Sequence, residues 1–270
     1  VKSVQKQLID FSKIDKLIVK IVDSDLKVVG TQSSDTYIAY ESDQPHLEYN
    51  GDTLTISTKE RQFSFLGPVV FGPRGSKEAL EIVVPHGLEE LTVSGVSSDI
   101  LMRSITGRNL VVRTISGDIV LDNVEFTDWQ IKTVSGDIRM DSPVAAKLVF
   151  SSVSGDLKIK NLTCRESEWI ASTTSGDIFI ETVGIPSIRL TMRTASGEVN
   201  ANVGYTREGR DYLFGDGRMK ITVSTASGDV DIKSTNRAER SEGIEKKILR
   251  LVASGKLTYE QAKQILDELS

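Results

Sequence analysis

The stretch Thr133-Val134-Ser135-Gly136-Asp137-Ile138 returns along the chain at nearly constant spacing, which constrains the fold more than any composition could. The pattern Thr/Ser-x-Ser-Gly-Asp/Glu-Ile/Leu/Val begins at Thr114, Thr133, Ser152, Thr173, Thr194 and Thr225. A worn copy, Val96-Ser97-Ser98-Asp99-Ile100, precedes them. With Ser98 standing in for glycine, the positions 98, 117, 136, 155, 176, 197 and 228 are separated by 19, 19, 19, 21, 21 and 31 residues. Periods near 20 mean stacked units, each of which buries its apolar face only against its neighbours.

Every unit reads as two alternating strands around a tight corner. Before the corner, Leu110, Val112 and Thr114 share a face, as do Trp129, Ile131 and Thr133, then Leu148, Phe150 and Ser152. After it, Ile119/Leu121, Ile138/Met140, Leu157/Ile159, Ile178/Ile180 and Val230/Ile232 complete the expected core. The opposite parity carries Arg113, Lys132, Ser151, Ser172 and Arg193, then Asp122, Asp141, Lys160, Glu181 and Lys233, a solvated face. The same corner at the same phase in each unit predicts a mainly β chain, a parallel β-solenoid of about seven coils. Hairpin barrels and sandwiches need no such phase, and the Leu-x-x-Leu-x-Leu skeleton of leucine-rich repeats is missing. Gly117, Gly136, Gly155, Gly176, Gly197 and Gly228 are the expected structural turn residues. The hydroxyls of Thr114, Thr133, Ser152, Thr173, Thr194 and Thr225 are expected to cap backbone donors of the turn. The last spacing predicts an excursion at Tyr205 to Arg218, a hairpin or finger rather than another coil.

Four segments follow from this reading: 1–79, an irregular β N-terminal part; 80–233, the regular repeats; 234–241, a polar linker; and 242–270, a helical hairpin. Asp23-Ser24-Asp25-Leu26 reads as a degenerate first rung, and the apolar loop Phe63 to Gly75 as cover for an end of the β core. In the last segment Ile244, Ile248, Leu251 and Val252 fall at helical spacing. Ser254-Gly255 stops that helix, and Thr258-Tyr259-Glu260-Gln261 opens a second with Ile265, Leu266 and Leu269 inward. Two short helices do not fold alone in water, so these seven apolar residues predict a homodimer through the hairpin, with capping of the chain's own solenoid as the alternative.

Catalytic signatures are weak. The ladder Asp99, Asp118, Asp137, Asp156, Asp177, Glu198 and Asp229 invites a cation, Asp118 to Asp177 above all, or the chemistry of a calcium-dependent β-helix polysaccharide lyase aided by Arg113 or Lys132. An aspartate after glycine in a corner more often caps backbone, and the Gly-Gly-x-Gly-x-Asp spacing of calcium-binding β-rolls is absent. His46 and His86, the two histidines, each follow a proline in a turn, and Cys164 reads as a half-buried small residue. No Walker loop, dinucleotide fingerprint or zinc pattern occurs, so neither an enzyme nor a cofactor is expected. The formal charge of −5 does not favour nucleic acid or an anionic membrane. No apolar run is long enough to span a bilayer, no signal-peptide h-region follows Val1, and one cysteine suits a reducing cytosol or an envelope surface alike.

These repeats, Val84-Pro85-His86-Gly87-Leu88, and Phe214-Gly215-Asp216-Gly217 before Ile221-Thr222-Val223 resemble the bacterial "putative adhesin" β-strand-repeat proteins of Firmicutes over most of residues 15 to 233. Ile248 to Thr258 and Glu260 to Leu266 resemble the helical module of Lia-type envelope-stress proteins, which usually precedes the β domain. The resemblance implies a cell-envelope or surface-exposed interaction protein, with stress sensing or modulation among its roles, and a protein or envelope component as partner. It carries over no catalytic residue.

Overall fold

The computed structural model describes residues 4–41, 44–58, 78–235, Val252 and Gln261. Period-two alternation gives each half-repeat one buried face, and hence a strand. The first seven are β1 (Gln5–Leu8), β2 (Lys16–Ile21), β3 (Ser24–Thr31), β4 (Tyr37–Tyr40), β5 (His46–Asn50), β6 (Thr53–Ser57) and β7 (Glu78–Pro85). The regular repeats supply β8 (Leu88–Gly95), β9 (Ile100–Arg103), β10 (Thr106–Arg113), β11 (Ile119–Asp122), β12 (Glu125–Lys132), β13 (Ile138–Asp141), β14 (Lys147–Ser151) and β15 (Leu157–Leu162). Then come β16 (Ser167–Ser175), β17 (Ile178–Val183), β18 (Ile188–Ser196), β19 (Val199–Ala201), β20 (Thr206–Glu208), β21 (Asp211–Phe214), β22 (Met219–Ser227) and β23 (Val230–Thr235).

Two sheets face each other across the core. The first, of 11 strands, runs β1-β4-β7-β3-β9-β11-β13-β15-β17-β23-β19. The second, of 12, runs β20-β21-β18-β22-β16-β14-β12-β10-β8-β2-β6-β5. Repeated strands pair in parallel and in register, so Trp129 sits beside Leu148 and Ile131 beside Phe150. Every core residue named from the alternation is buried, with Leu110, Val112, Ile131 and Ile138 at 0% exposure.

Three parts of the expected fold are corrected. The sheets are mixed rather than wholly parallel, because β1 and β4, β5, and β20 and β21 pair antiparallel at the ends. Such pairing covers edges that a bare solenoid would expose. Among the described residues there are nine two-strand coils, not about seven, since β2–β3 and β6–β7, ahead of the first of the regular corners, join the same stack. Among the described residues the elements are all strands, and no helical hairpin is part of the fold they form. Its segment, 242–270, lies outside the described residues except Val252 and Gln261, isolated residues with helical backbone. The dimer contact assigned to Ile244, Ile248, Leu251, Val252, Ile265, Leu266 and Leu269 therefore has no support. The loop Phe63 to Gly75 also lies outside the described residues.

Chain order and spatial order part company at both ends. Along the stack the coils run β6–β7, β2–β3, β8–β9 and onward to β16–β17, then β22–β23, then β18–β19. The last spacing of 31 residues thus contains the hairpin β20–β21, whose second strand seals β18, and the chain then returns to fill an interior place.

The opposite end is pinned by Glu81, which accepts from Lys27 Nζ at 2.8 Å and from the Tyr37 hydroxyl at 3.0 Å. The Lys27 hydrogen bond, followed by that of Tyr37, holds the Glu81 carboxyl below its usual pKa despite partial burial. A depressed carboxylate stabilises the fold above the ordinary glutamate range, and that contribution is lost as pH falls through the lowered folded value. In thermal melts Glu81→Gln is expected to be less stable than the parent at neutral pH, and the gap to close on acidification. A gap independent of pH would dismiss the linkage.

Candidate functional site

The Ser-Gly-Asp corners, where the repeat concentrates its polar chemistry, form one continuous column. Each aspartate is spent on its neighbour's backbone. The N–H of Asp118 donates to Asp99 Oδ1 at 2.9 Å, Asp137 to Asp118 at 2.9 Å, Asp156 to Asp137 at 3.1 Å and Asp177 to Asp156 at 3.0 Å. Asp229 then donates to Asp177 and Glu198 to Asp229, following the spatial order of the coils. Asp25 begins the column by accepting from Asp99, which makes Asp25-Leu26 a corner of the same kind.

The second carboxylate oxygens of Asp118, Asp137 and Asp156 meet cations. Arg139 lies 3.4 Å from Asp118 and 3.2 Å from Asp137, and Lys158 lies 3.2 Å from Asp156. Among the described residues no group of three His, Cys, Asp or Glu side chains could hold a metal ion. Asp118, Asp137, Asp156 and Asp177 are brought together, as expected of a cation ladder, but their geometry is that of a staple between coils.

The hydroxyls reverse the expected role. Thr114, Thr133, Ser152, Thr173 and Thr225 donate to the carbonyl two residues onward, at 2.9–3.0 Å, instead of accepting from the turn. Turn donors already find carbonyls in the preceding coil, as Ser135 N–H does at Ile115. At Gly136, φ is +120°, and an added Cβ would stand 2.2 Å from the Gly117 carbonyl oxygen. Gly117, Gly155, Gly176, Gly197 and Gly228 approach the coil beneath them equally closely.

Asp137→Ala is expected to cost about 1–2 kcal/mol, because the Asp156 N–H loses its partner in a half-buried corner. Asp137→Asn keeps an acceptor and should melt close to the parent. Equal losses for the two variants would refute the staple.

A second corner escaped the sequence reading. Ser104, Asn123, Ser142 and Asn161 take positive φ of 51–53°, again 19 residues apart. Asn123 donates to Asp122 and Asn161 to Asp141, and beside them lies a cleft of about 290 Å³ lined by Ser142, Thr163, Arg165 and Trp169. The signal available was the spacing itself, carried by serine and asparagine instead of glycine.

The remaining candidates stay apart. His46 is on the exposed edge strand β5, and His86 Nδ1 lies 3.2 Å from the Thr106 hydroxyl in the turn after β7. Cys164 packs against the core; burial, the largest influence, pushes its thiol up, outweighing a hydrogen bond from the Ser187 backbone. A thiol so held has little thiolate with which to attack. On the outer face of the first sheet, four cations are answered by carboxylates: Lys27 by Glu81, Arg103 by Asp122, and Arg139 and Lys158 by the ladder.

A family model described as Toastrack DUF4097 matches residues 14–168 and 97–233. No curated protein matches the chain. Among solved structures, a "putative adhesin" of Bacteroides fragilis NCTC 9343 is 15% identical, with a TM-score of 0.49 over 87% of this chain and 98% of that one. A "putative lipid binding protein" of Parabacteroides distasonis ATCC 8503 is 15% identical, at 0.47 over 84% and 96%. A "putative cell adhesion protein" of Clostridium sporogenes ATCC 15579 is 13% identical, at 0.44 over 87% and 100%. Likenesses this distant transfer nothing of what those proteins bind.

Proposed function

The chain belongs to the Toastrack DUF4097 family, and from that premise we propose that it is a non-catalytic interaction protein of the cell envelope, presenting its sheet faces to a protein or envelope component. The observation that carries this reading is the use of the repeated aspartates. One oxygen of each holds the backbone N–H of the next coil, and Asp118, Asp137 and Asp156 also meet neighbouring cations, which is the use of a structural staple and not of a free acid, base or ligand. What the repeat leaves for a partner is surface: two sheets whose outward residues line up in straight rows over nine coils. Stress sensing or its modulation is the role that the repeat resemblance suggests for such a surface. Among the described residues no helix is long and apolar enough to cross a membrane, so association through a surface accords with them.

The rival, a carbohydrate-active enzyme working through the ladder, needs carboxylates that can leave their backbone partners. Fractionation of cells expressing the tagged chain should place it with the envelope, and acidic polysaccharides incubated with it and calcium should remain intact. Turnover that depends on Asp137 would overturn the reading.

A further inference from the structure

The charge of the chain is unevenly spread, and the outer face of the second sheet shows where. One outward row of that sheet carries Lys20, Arg113, Lys132 and Arg193, with serines such as Ser94, Ser151 and Ser172 between them in register. The row beside it runs Thr92, Val111, Gln130, Val149, Ile170 and Thr222, without a charge. On the other flank, at the corner, Val96, Ile115, Val134 and Val153 stack into a ridge, each passing its carbonyl to the next coil. Between β2 and β18 these three rows hold no carboxylate; the uncharged one meets Glu48 and Asp211 only beyond those strands, at the two tips.

Two observations separate this strip from the rest of the surface. Among the described residues, six of the eleven exposed large hydrophobic side chains stand on it: Val96 (41%), Ile115 (54%), Val134 (47%), Val149 (40%), Val153 (51%) and Ile170 (39%). Its cations also lack the carboxylate partners that Lys27, Arg103, Arg139 and Lys158 have on the first sheet. No described residue forms an ion pair with Lys20, Lys132 or Arg193, and Arg113 donates instead to the Gln130 amide oxygen at 2.8 Å.

We propose that this strip docks flat on an anionic lipid surface, with the aliphatic ridge entering the headgroup region and the basic row lying against the phosphates. The inference rests on the envelope reading and names the component. Strand spacing makes the ridge about 14 Å long and the basic row about 34 Å, a flat footprint without aromatic anchors or a pocket of the kind protein partners use. A soluble polyanion would answer the cations but leave the ridge wet. The net charge of −5 does not forbid the contact, because charges beyond about 10 Å are screened at physiological salt. The nearest carboxylates are Glu90, which accepts from the Thr92 hydroxyl at 2.9 Å, and Asp128 and Glu168, all in the row beyond the uncharged one, where Lys16, Lys147, Lys220 and Arg189 share the row and balance them; in the aspartate column across the corner, Asp118, Asp137 and Asp156 are answered by Arg139 and Lys158.

The full chain should co-sediment with vesicles of phosphatidylcholine mixed with phosphatidylglycerol, and far less with phosphatidylcholine alone. Arg113→Glu with Lys132→Glu should lower partitioning at least about tenfold. Ile115→Ser with Val134→Ser should lower it at both low and high salt, and Lys160→Glu with Lys233→Glu, the same charge change on the opposite sheet, should leave it unchanged. All six positions are exposed, and melting curves matching the parent establish that each variant is folded. Absence of preference for anionic vesicles, or equal loss in the opposite-sheet pair, overturns the proposal. So does a ridge variant that binds like the parent while polyphosphate competes, which assigns the row to a polymer. A dimer in light scattering that the ridge substitutions dissolve, without vesicle binding, overturns it in favour of a second copy. Recovery in the envelope fraction without vesicle binding refutes this inference alone; polysaccharide turnover refutes the broader reading alone.

Discussion

Gly136→Val is expected to lower the melting temperature by about 10 °C, the equivalent of about 3 kcal/mol or more in a β domain of this size. Two causes add. Positive φ, +120° at this position, is costly for a β-branched residue, and the Cβ would lie 2.2 Å from the Gly117 carbonyl oxygen. That oxygen is backbone of a coil already clamped by the aspartate column, so relief requires spreading two coils and breaking hydrogen bonds on either side of the corner. Gly51→Ala is the control. Its φ is +62°, yet a Cβ there meets nothing within 4 Å, so only the left-handed penalty of about 1 kcal/mol remains. Similar melting temperatures for the two variants would show that close approach between coils contributes little.

Phe126→Ala should cost about 3–5 kcal/mol. The ring is 1% exposed and lies directly on the backbone of the neighbouring coil: a Cβ added to Gly107 would come within 2.3 Å of Phe126 Cε1. The cavity cannot be filled by collapse, because the Leu88 carbonyl, 2.5 Å from the same hypothetical Cβ, also fixes the spacing there. Trp129 donates its indole N–H to the Phe126 backbone carbonyl at 2.9 Å, a bond that alanine keeps, so the loss measured is that of the ring. Phe179→Ala, on the outer face of the first sheet, should stay within about 0.5 kcal/mol of the parent. Chemical denaturation of both variants checks this, and a small loss for Phe126 would mean that the core repacks.

Period-two alternation identified the interior side chains because burial in a sheet depends on parity alone, and parity can be read from residues such as Trp129, Ile131 and Thr133 without knowing their neighbours. Which coil lies beside which cannot be read that way. Thr194-Ala195-Ser196-Gly197-Glu198-Val199 and Thr225-Ala226-Ser227-Gly228-Asp229-Val230 present nearly the same faces, so either fits against Gly176. Chain order suggested the first, while the antiparallel hairpin β20–β21 selects the second. Hydroxyl direction was also hidden, since a threonine can donate or accept and only the parallel neighbour shows that the turn donors are already satisfied. The aspartates were legible as capping residues and as a ladder, but not as each capping the N–H of the next coil, for that requires the register between coils. Charge was misleading in bulk: −5 over the chain conceals rows whose charges are all positive.

The exchanged coils at the two ends have a consequence for how such a protein can change in length over evolution. An open array lengthens by adding a unit at its tip. Here three of the four sheet ends are closed by antiparallel strands, β19 being the parallel exception, and at each tip the outermost coil lies between its inner neighbours in the chain and not at its end, so an added terminal unit would find at most one matching edge where a coil needs two. Between Asn123 and Asn161, by contrast, coils follow one another in sequence with a constant step of 19 residues. A duplication of one such step would reproduce both corners, the aspartate column and the ridge without disturbing either closure. Growth is confined to the middle, and there every inserted coil extends each surface row by one more position.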